Sequence, residues 1–550
     1  MASRADGRGP DDAVLPRIER TAHGHRQLVD GAPALLLGGQ LHNSTPTDTE
    51  LPAVLDRVRH LHASVVIGSA SWSLVEPEEG RFDLSSVDAL LAAARDAGLR
   101  LVLLWFGAFK NASSTYAPRW VRADPARFPR AETEDRRAEA FTHPDLTPRP
   151  VLSVFAEALV AADERAFTAL LTHLRDADPQ HTVVMVQVEN EVGLLRDSRD
   201  RSVHAEQAWA SPVPGAIVDL LERDVAELPT SVVAAWERGG RRTSGTWGQV
   251  LGSGWEADEV FMAWGFSSYC ERLAAAGKAV KPLPMYANAW LGPQPGQPEA
   301  GDYPSGGPSS RMLGVWRTAA PSLDLLAPDV YIDDVEQAVA PYARRDNPLL
   351  VPESRVATGN LFWAIGSGAI GFSVFGVDDI RAGSRLARAY AVLGGMTELI
   401  AAAQAEGRVA PVLLEPGGRR ELTFDGVRVV VQDARALLRR MLLDAGVQAP
   451  PPAAEAASET DRGIPAPADT RAFGIVIQEG HDEFLVVGQN LAVDFAAPGA
   501  LLEIDDVEAG RFERGAWRRT KVVNGDERLM IVPMDEVGVA RIRLLRLEGG

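Results

Sequence analysis

The chain predicts a (β/α)₈ barrel followed by an all-β domain, and three observations carry that prediction. Eight short apolar runs alternate with amphipathic helical stretches up to about residue 380. Several of those runs are continuous aliphatic stretches, as parallel strands buried on both faces require. Beyond residue 405 the pattern changes to period two, cut by Gly, Asn and Pro turns.

The eight strand candidates are 34–43, 63–71, 99–107, 182–190, 282–290, 325–331, 348–354 and 368–376. Helical patterns at 50–62, 85–98, 156–178 and 259–280 precede strands two to five. A doubly wound open sheet is the alternative, but no G-x-G-x-x-G opens a helix after strand one. A helix at 382–405 ends the barrel domain, 1–405, which begins with a polar arm. Residues 406–550 then form a sandwich-like β domain from runs at 420–433, 472–480, 482–497, 501–506 and 540–548. Within it, 449–469 is Pro/Ala/Glu-rich and reads as a linker or exposed loop. The stretches 108–155 and 192–258 exceed a minimal barrel. They carry Phe109, Tyr116, Trp120, Trp209, Trp236, Trp247 and Trp255, so they are expected to wall or cover a site.

At 550 residues the chain is too long for one core, and 46 % hydrophobic with 24 % charged residues is ordinary for a globular protein. A net charge of −19 repels phosphate backbones, so nucleic acid is not an expected partner. Cys270 is alone, which excludes an intrachain disulfide or thiolate metal cluster, and its helical surroundings predict a buried structural thiol. The N-terminus has no secretory h-region and no run approaches the ~20 apolar residues of a membrane span. A cytoplasmic location and no membrane partner are therefore expected.

Chemistry concentrates at two strand ends. Strand four closes with Gln187-Val188-Glu189-Asn190-Glu191, polar groups that are costly at the tip of an apolar strand unless they line a site. Alternation sends Glu189 and Glu191 to the same side, so spacing does not choose between them. Strand seven closes with Val351-Pro352-Glu353-Ser354-Arg355. In a barrel these two ends converge on one cavity. Facing carboxyl groups, one protonated and one ionised, are what glycoside hydrolysis needs. The bland alternative is salt bridging at the rim, for example with Arg355.

The run Gln187–Gly193 resembles the acid/base signature of the family 35 and family 42 β-galactosidases, in which Asn-Glu closes strand four and a Glu nucleophile ends strand seven. Gly39-Gln40-Leu41-His42-Asn43 is similar to the first strand of that group. Trp72, Glu76-Pro77, Gly80 and Phe82-Asp83 are similar to its element after strand two. Trp105-Phe106-Gly107, Lys110-Asn111 and Tyr116/Pro118/Trp120 resemble the strand-three loop of a bacterial branch with a poorly characterised C-terminal domain. The resemblance implies Glu191 as acid/base, Glu353 as nucleophile, Asn190 on the sugar 2-hydroxyl and Glu189 as a group that either supports the site from behind or orients the substrate. It implies a retaining exo-β-glycosidase, foremost a β-galactosidase.

Trp105, Asn111, Asn288, Tyr331, Trp363 and Phe375 are further candidates for sugar contact, Asn288 together with Trp290 as wall residues after strand five, and Tyr331 placed to donate its hydroxyl to Glu353. His42 has no second His or Cys at ligand spacing, so a hydrogen-bonding role is preferred. No metal or organic cofactor is implied, because the two carboxyl groups supply the acid chemistry. The expected partner is a small-molecule or oligosaccharide substrate, and the rim loops leave room for a homo-oligomer. The departures are Val192 where relatives carry an aromatic, Ser354 after the nucleophile, and the missing cysteine zinc site of family 42. They bear on the sugar rather than the reaction. A glucoside, fucoside, mannoside or arabinopyranoside substrate is therefore the second reading. A non-catalytic carbohydrate-binding protein is the third, against which the joint presence of Asn190, Glu191 and Glu353 argues.

Overall fold

The structure, a computed structural model, describes residues 14–134, 151–448, 469–513 and 515–548. The expected linker at 449–469 falls outside these except for Asp469, as do residues 1–13 of the N-terminal arm and residues 135–150.

Eight parallel strands make the barrel: Leu36–Gln40, Val65–Ser71, Arg100–Lys110, Val183–Asn190, Met285–Ala289, Leu325–Val330, the split seventh strand Leu350–Val351 and Glu353–Ser354, and Gly371–Phe375. The seventh strand closes the ring by pairing in two directions. Leu350 and Val351 pair with strand eight, whereas Glu353 and Ser354 pair with strand six. Pro352, which has no N–H to give either neighbour, sits at the switch. The apolar runs in the sequence fall on these strands because both faces are buried. Ile67, Val102, Leu104, Phe106, Met185 and Tyr286 fill the barrel interior, and a larger cluster lies between strands and helices. Residues 17–34, read as part of a polar arm, include a small antiparallel sheet, Arg17–Arg20, His25–Val29 and Ala32–Ala34. Ile18 and Val29 of this sheet pack onto the barrel interior.

Helices Leu51–His60, Ser85–Ala97, Glu157–Ala177 and Trp255–Val280 match the amphipathic stretches. The last begins four residues earlier than its apolar periodicity does. The helix expected at 382–405 is two, Arg385–Gly395 and Thr397–Glu406, bent by 72°. Gly394-Gly395 at the break explains the bend, since paired glycines carry little helical preference. Among the described residues no single helix is long and apolar enough to cross a membrane. Cys270 is buried, as its helical setting predicts.

After Glu406 the chain builds a six-stranded sheet from Val409–Leu414, Ala472–Gly480, Glu483–Gln489, Gly538–Glu548, Ala500–Glu513 and Ala516–Val522, in that spatial order. A three-stranded sheet, Arg419–Phe424, Val427–Asp433 and Leu491–Ala496, faces it across a core that includes Val429, Val431, Val476, Phe484 and Ile542. This sandwich-like unit leans on the barrel helix Thr358–Gly366, where the Phe362 and Phe473 rings lie 5.2 Å apart. The period-two pattern does not indicate the helix Ala434–Asp444 or the strands at 409–414 and 516–522.

One buried amide ties strand six to the start of strand seven. Asn347 Oδ1 accepts from Leu326 N at 2.8 Å, and its Nδ2 donates to Leu326 O at 3.0 Å and Tyr342 O at 2.9 Å. Replacing Asn347 by Ala strands these backbone groups in the interior and should cost about 2–3 kcal/mol, read as a lowered Tm. An unchanged Tm would show that the closure does not depend on it.

Candidate active site

The site grows from an irregularity in strand three. Trp105 is in register with Val188, but the next paired residue, Lys110, stands opposite Asn190, so residues 106–109 bulge against Glu189 alone. The bulge removes buried N–H groups from the ladder, and they must find other acceptors. Glu189 Oε1 accepts from Ala108 N at 3.1 Å and Oε2 from Phe109 N at 2.8 Å. Asp163, on the helix Glu157–Ala177, also accepts from Ala108 N, and takes Trp105 Nε1 at 2.8 Å and Tyr269 Oη at 2.6 Å. Glu189 and Asp163 are both fully buried and hydrogen-bonded to each other. Burial, first, and then mutual repulsion push Glu189 well above the usual carboxylate range. The pair therefore shares one proton.

The far end of the bulge clasps the catalytic candidates. Asn111 N donates to Asn190 O at 3.1 Å and Ala112 N to Glu191 O at 3.3 Å. Lys110 Nζ donates to Asn111 Oδ1 at 2.7 Å and Asn190 Oδ1 at 3.2 Å, and lies 4.9 Å from the centre of the Phe106 ring. Glu189 and Glu191 both take left-handed backbone angles, φ of 62° and 44°. That overturns the expectation from alternation. The two carboxyl groups part company, Glu189 entering the buried network and Glu191 a cavity.

That cavity has a volume of about 390 Å³ and is lined by Glu191, Glu353, Asp329, Lys110, Tyr331 and Phe375, among others. Asn288 orients the acid side: its Oδ1 accepts from Glu191 N at 2.9 Å, and its Nδ2 donates to Asp329 Oδ2 at 2.6 Å. Asp329, paired in register with Glu353, shares a hydrogen bond with the Glu191 carboxyl. Tyr331 Oη donates to Glu353 Oε1. Burial first, then the charge of Glu353, push Glu191 up to about 8, with Lys110 and Asp329 opposing. Burial also raises Glu353, opposed by the Tyr331 hydroxyl, Lys110 and the nearby Gln40 amide. Asp329 is raised by burial and by both glutamates, and Lys110 is lowered by burial against the pull of all three carboxyl groups. Three carboxyl groups and one ammonium in a closed space divide into proton holders and proton losers, the arrangement acid/base chemistry needs.

Several buried polar atoms around this cavity have no partner within the protein. They are Gln40 Oε1, Asn43 Oδ1 and Asn190 Nδ2. Such atoms cost free energy until a polar ligand reaches them.

Of the residues singled out in the sequence, Glu191, Glu353, Asn111, Tyr331 and Phe375 line the cavity, while Asn190 and Asn288 stand behind as hydrogen-bonding supports. Three expected sugar contacts fall elsewhere. Trp105 is fully buried with its N–H on Asp163 and its ring 5.8 Å from Phe167. Glu189 lies in the network just described. Trp363 is buried in the helix Thr358–Gly366, with the Arg420 guanidinium 4.6 Å from its ring centre. Arg355 pairs with Asp333 rather than with either glutamate. His42 bonds Asp379 at 2.8 Å. The aromatics of the two long loops also serve packing: Trp209 and Trp247 meet Phe261 edge-on, and Trp120 donates to Glu76 O. The walls come instead from Trp290, Leu291 and Gln294 after strand five and Tyr331 and Ile332 after strand six. Sequence reasoning passed over Asp329, a carboxylate inside an apolar strand, and Asp163, an acid on a helix's buried face. Lys110 is one of only four lysines in the chain, which was its signal.

Residues 50–221 match the model of the family described as β-galactosidase, glycoside hydrolase family 42. Residues 386–533 match a domain of unknown function, DUF5597. The first match includes Glu191 and ends before Glu353. Similar solved structures include a β-galactosidase from Rahnella sp. R3, at 16 % identity and TM-score 0.42, covering 67 % of this chain and 57 % of that one. Others are the exo-β-1,4-mannosidase Op5Man5 from Opitutaceae bacterium strain TAV5, at 15 %, 0.35, 65 % and 53 %, and a β-galactosidase from Bacillus circulans sp. alkalophilus, at 11 %, 0.48, 93 % and 99 %. The chain thus spans little more than half the length of the first two. No curated protein matches it.

Glu189→Gln keeps the shape but offers one acceptor where two N–H groups need one each. It should lower Tm by the equivalent of about 1–3 kcal/mol, and displacing Lys110 should lower kcat. A variant with unchanged Tm and kcat would remove the network from the account.

Residues 50–221, which carry strands two to four and Glu191, are thus similar to the family 42 β-galactosidase model, and Glu191 and Glu353 meet in one cavity at the mouth of a closed barrel.

Proposed function

We propose that the chain is a retaining exo-β-glycosidase that takes β-galactosides, working by double displacement. The observation that carries this reading is one cavity holding Glu191, kept protonated to about pH 8, beside Glu353, which accepts from a tyrosine hydroxyl. The partnerless amide atoms Gln40 Oε1, Asn43 Oδ1 and Asn190 Nδ2 around it suit a ligand rich in hydroxyls. The family match over 50–221 favours galactosides among β-glycosides.

Glu191 protonates the glycosidic oxygen as Glu353 attacks the anomeric carbon, giving a glycosyl-enzyme. Now ionised, Glu191 draws a proton from water, which releases the sugar with its configuration retained. Tyr331 and Lys110 stabilise the Glu353 carboxylate before attack. Phe375 offers an aromatic face to the apolar side of a pyranose.

A panel of p-nitrophenyl α- and β-glycosides tests the reading. The β-galactoside should be hydrolysed fastest, and Glu191→Gln and Glu353→Ala should each lose several orders of magnitude in kcat. Azide added to Glu353→Ala should restore turnover and yield an azide product of inverted configuration. Near-normal kcat in Glu353→Ala would end the assignment. Sugar binding without turnover in the unaltered protein would point to a carbohydrate-binding protein instead.

The pH profile of kcat/KM has a definite sign. Activity needs Glu191 protonated, so it should fall as pH rises through about 8. It also needs Glu353 ionised, so the acid limb should lie above the ordinary glutamate range. Lys110→Met removes the charge that favours both ionised forms, and should move both limbs to higher pH. Limbs that stay in place would show that Lys110 does not face the pair.

A further inference from the structure

A second cavity, of about 560 Å³, adjoins the first and shares Leu291, Gln294, Tyr331 and Ile332 with it. Each volume lies in the range of ~300–1,000 Å³ typical of small-molecule sites. One pyranose engaged by Glu191 and Glu353 occupies only the first. The half-exposed Tyr331 ring stands between the two, its hydroxyl on the nucleophile and its edge in both linings.

The chemistry of this second space is that of a saccharide groove. Pro293, Pro295, Pro341 and Ile332 give it rigid apolar surface, and Gln337 and Arg355 give it hydrogen-bond donors. The Arg355 guanidinium spends one nitrogen on Asp333 at 2.5 Å, while its Nε is buried without a partner. The exposed side-chain amide of Gln337 makes no hydrogen bond within the protein among the described residues. A buried, unsatisfied N–H beside an open groove is a cost that an incoming acceptor relieves. The charge balance selects the ligand further. Asp333 is paired with Arg355, whereas Asp334, which caps the helix Val335–Val339 by accepting from Gln337 N at 2.9 Å, leaves net negative charge. An anionic glycan is disfavoured there and a neutral one is not.

We infer that this groove binds the sugar units on the leaving-group side of the scissile bond, so that the substrate is a neutral β-linked oligosaccharide rather than a small glycoside. The inference rests on the glycosidase reading above. Gln337 and the Arg355 N–H contact the second and later units, and the proline faces carry their apolar sides.

The test compares kcat/KM for a p-nitrophenyl β-glycoside with that for neutral β-linked oligosaccharides from the disaccharide to the pentasaccharide. In the unaltered protein kcat/KM should rise about tenfold or more from disaccharide to tetrasaccharide. Gln337→Trp, which fills the groove from an exposed helical position, should cut the ratio of tetrasaccharide to aryl glycoside about tenfold. Gln337→Ala should lower it less, with Tm reporting that both variants fold. A flat length series, or a ratio that neither variant changes, overturns the inference while leaving the glycosidase reading intact. If no glycoside is turned over, that reading fails, and calorimetry with the tetrasaccharide decides the groove alone. Binding weakened by Gln337→Trp supports it, and binding that is equal in both proteins or absent overturns it.

Discussion

The bulge in strand three, held by two buried carboxyl groups, is the constraint on which the rest of the site depends. A regular strand would pair Phe106 to Phe109 with strand four and carry Lys110 beyond the mouth. The bulge instead spends four residues opposite Glu189 and brings Lys110 level with Asn190. Its freed N–H groups could not remain bare in a fully buried position, so Glu189 and Asp163 accept them, with Trp105 and Tyr269 completing the shell. Two carboxyl groups in one dry pocket do not both ionise, and the shared proton is what makes the arrangement tolerable. The same turn of backbone that sends Glu189 inward swings Glu191 out to the cavity. A buried structural acid and a cavity-lining acid two residues apart are therefore products of one distortion.

Lys110 then sets the electrostatics of the mouth. Without it the three carboxyl groups would lose the positive charge that opposes their burial and mutual repulsion, and each would hold its proton more strongly. With it, the Coulomb balance among Glu191, Glu353 and Asp329 tips unevenly. Burial raises both glutamates and Lys110 opposes it in both, but Glu353 has a tyrosine hydroxyl on its side, whereas Glu191 also has the negative charge of Glu353 against its ionisation. Asp329 ties the two together, paired in register with Glu353 and hydrogen-bonded to Glu191. The proton inventory belongs to the cluster, and the difference between the two glutamates follows from unequal surroundings rather than from residue type.

Much of this was legible in the sequence, for reasons that differ by element. Parallel strands buried on both faces must be apolar throughout, so all eight barrel strands showed themselves as runs, and their polar tips marked Glu353 and the pair Glu189 and Glu191, between which only the family resemblance chose. What periodicity does not reveal is where it breaks. The left-handed angles at Glu189 and Glu191 cancel the alternation that would have paired them, and no residue there is a glycine to give warning. Trp105 and Trp363 carry the residue type that sugar sites favour, but a tryptophan with a buried N–H partner or a guanidinium against its face packs equally well in an interior. Asp329 was hidden by the apolar run that contains it. Its role appears only when Asn288, 41 residues away in sequence, is brought to bond it.

The C-terminal unit enters the same chain of dependence through Arg420. Its guanidinium lies against Trp363 on the barrel helix Thr358–Gly366 and reaches 3.5 Å from Glu336. Glu336 belongs to the helix Val335–Val339, which directly follows the Tyr331–Asp334 wall of both cavities. An exposed ion pair of that length adds little stability, but a planar cation held against a buried indole is a directional contact, and it fixes where the strand Arg419–Phe424 meets the barrel. The wall after strand six is thus braced from outside by the β domain and from inside by the Tyr331 hydroxyl on Glu353. A loop so short and held at both ends keeps its shape, which accounts for a β domain placed against the barrel beside the wall of the second cavity.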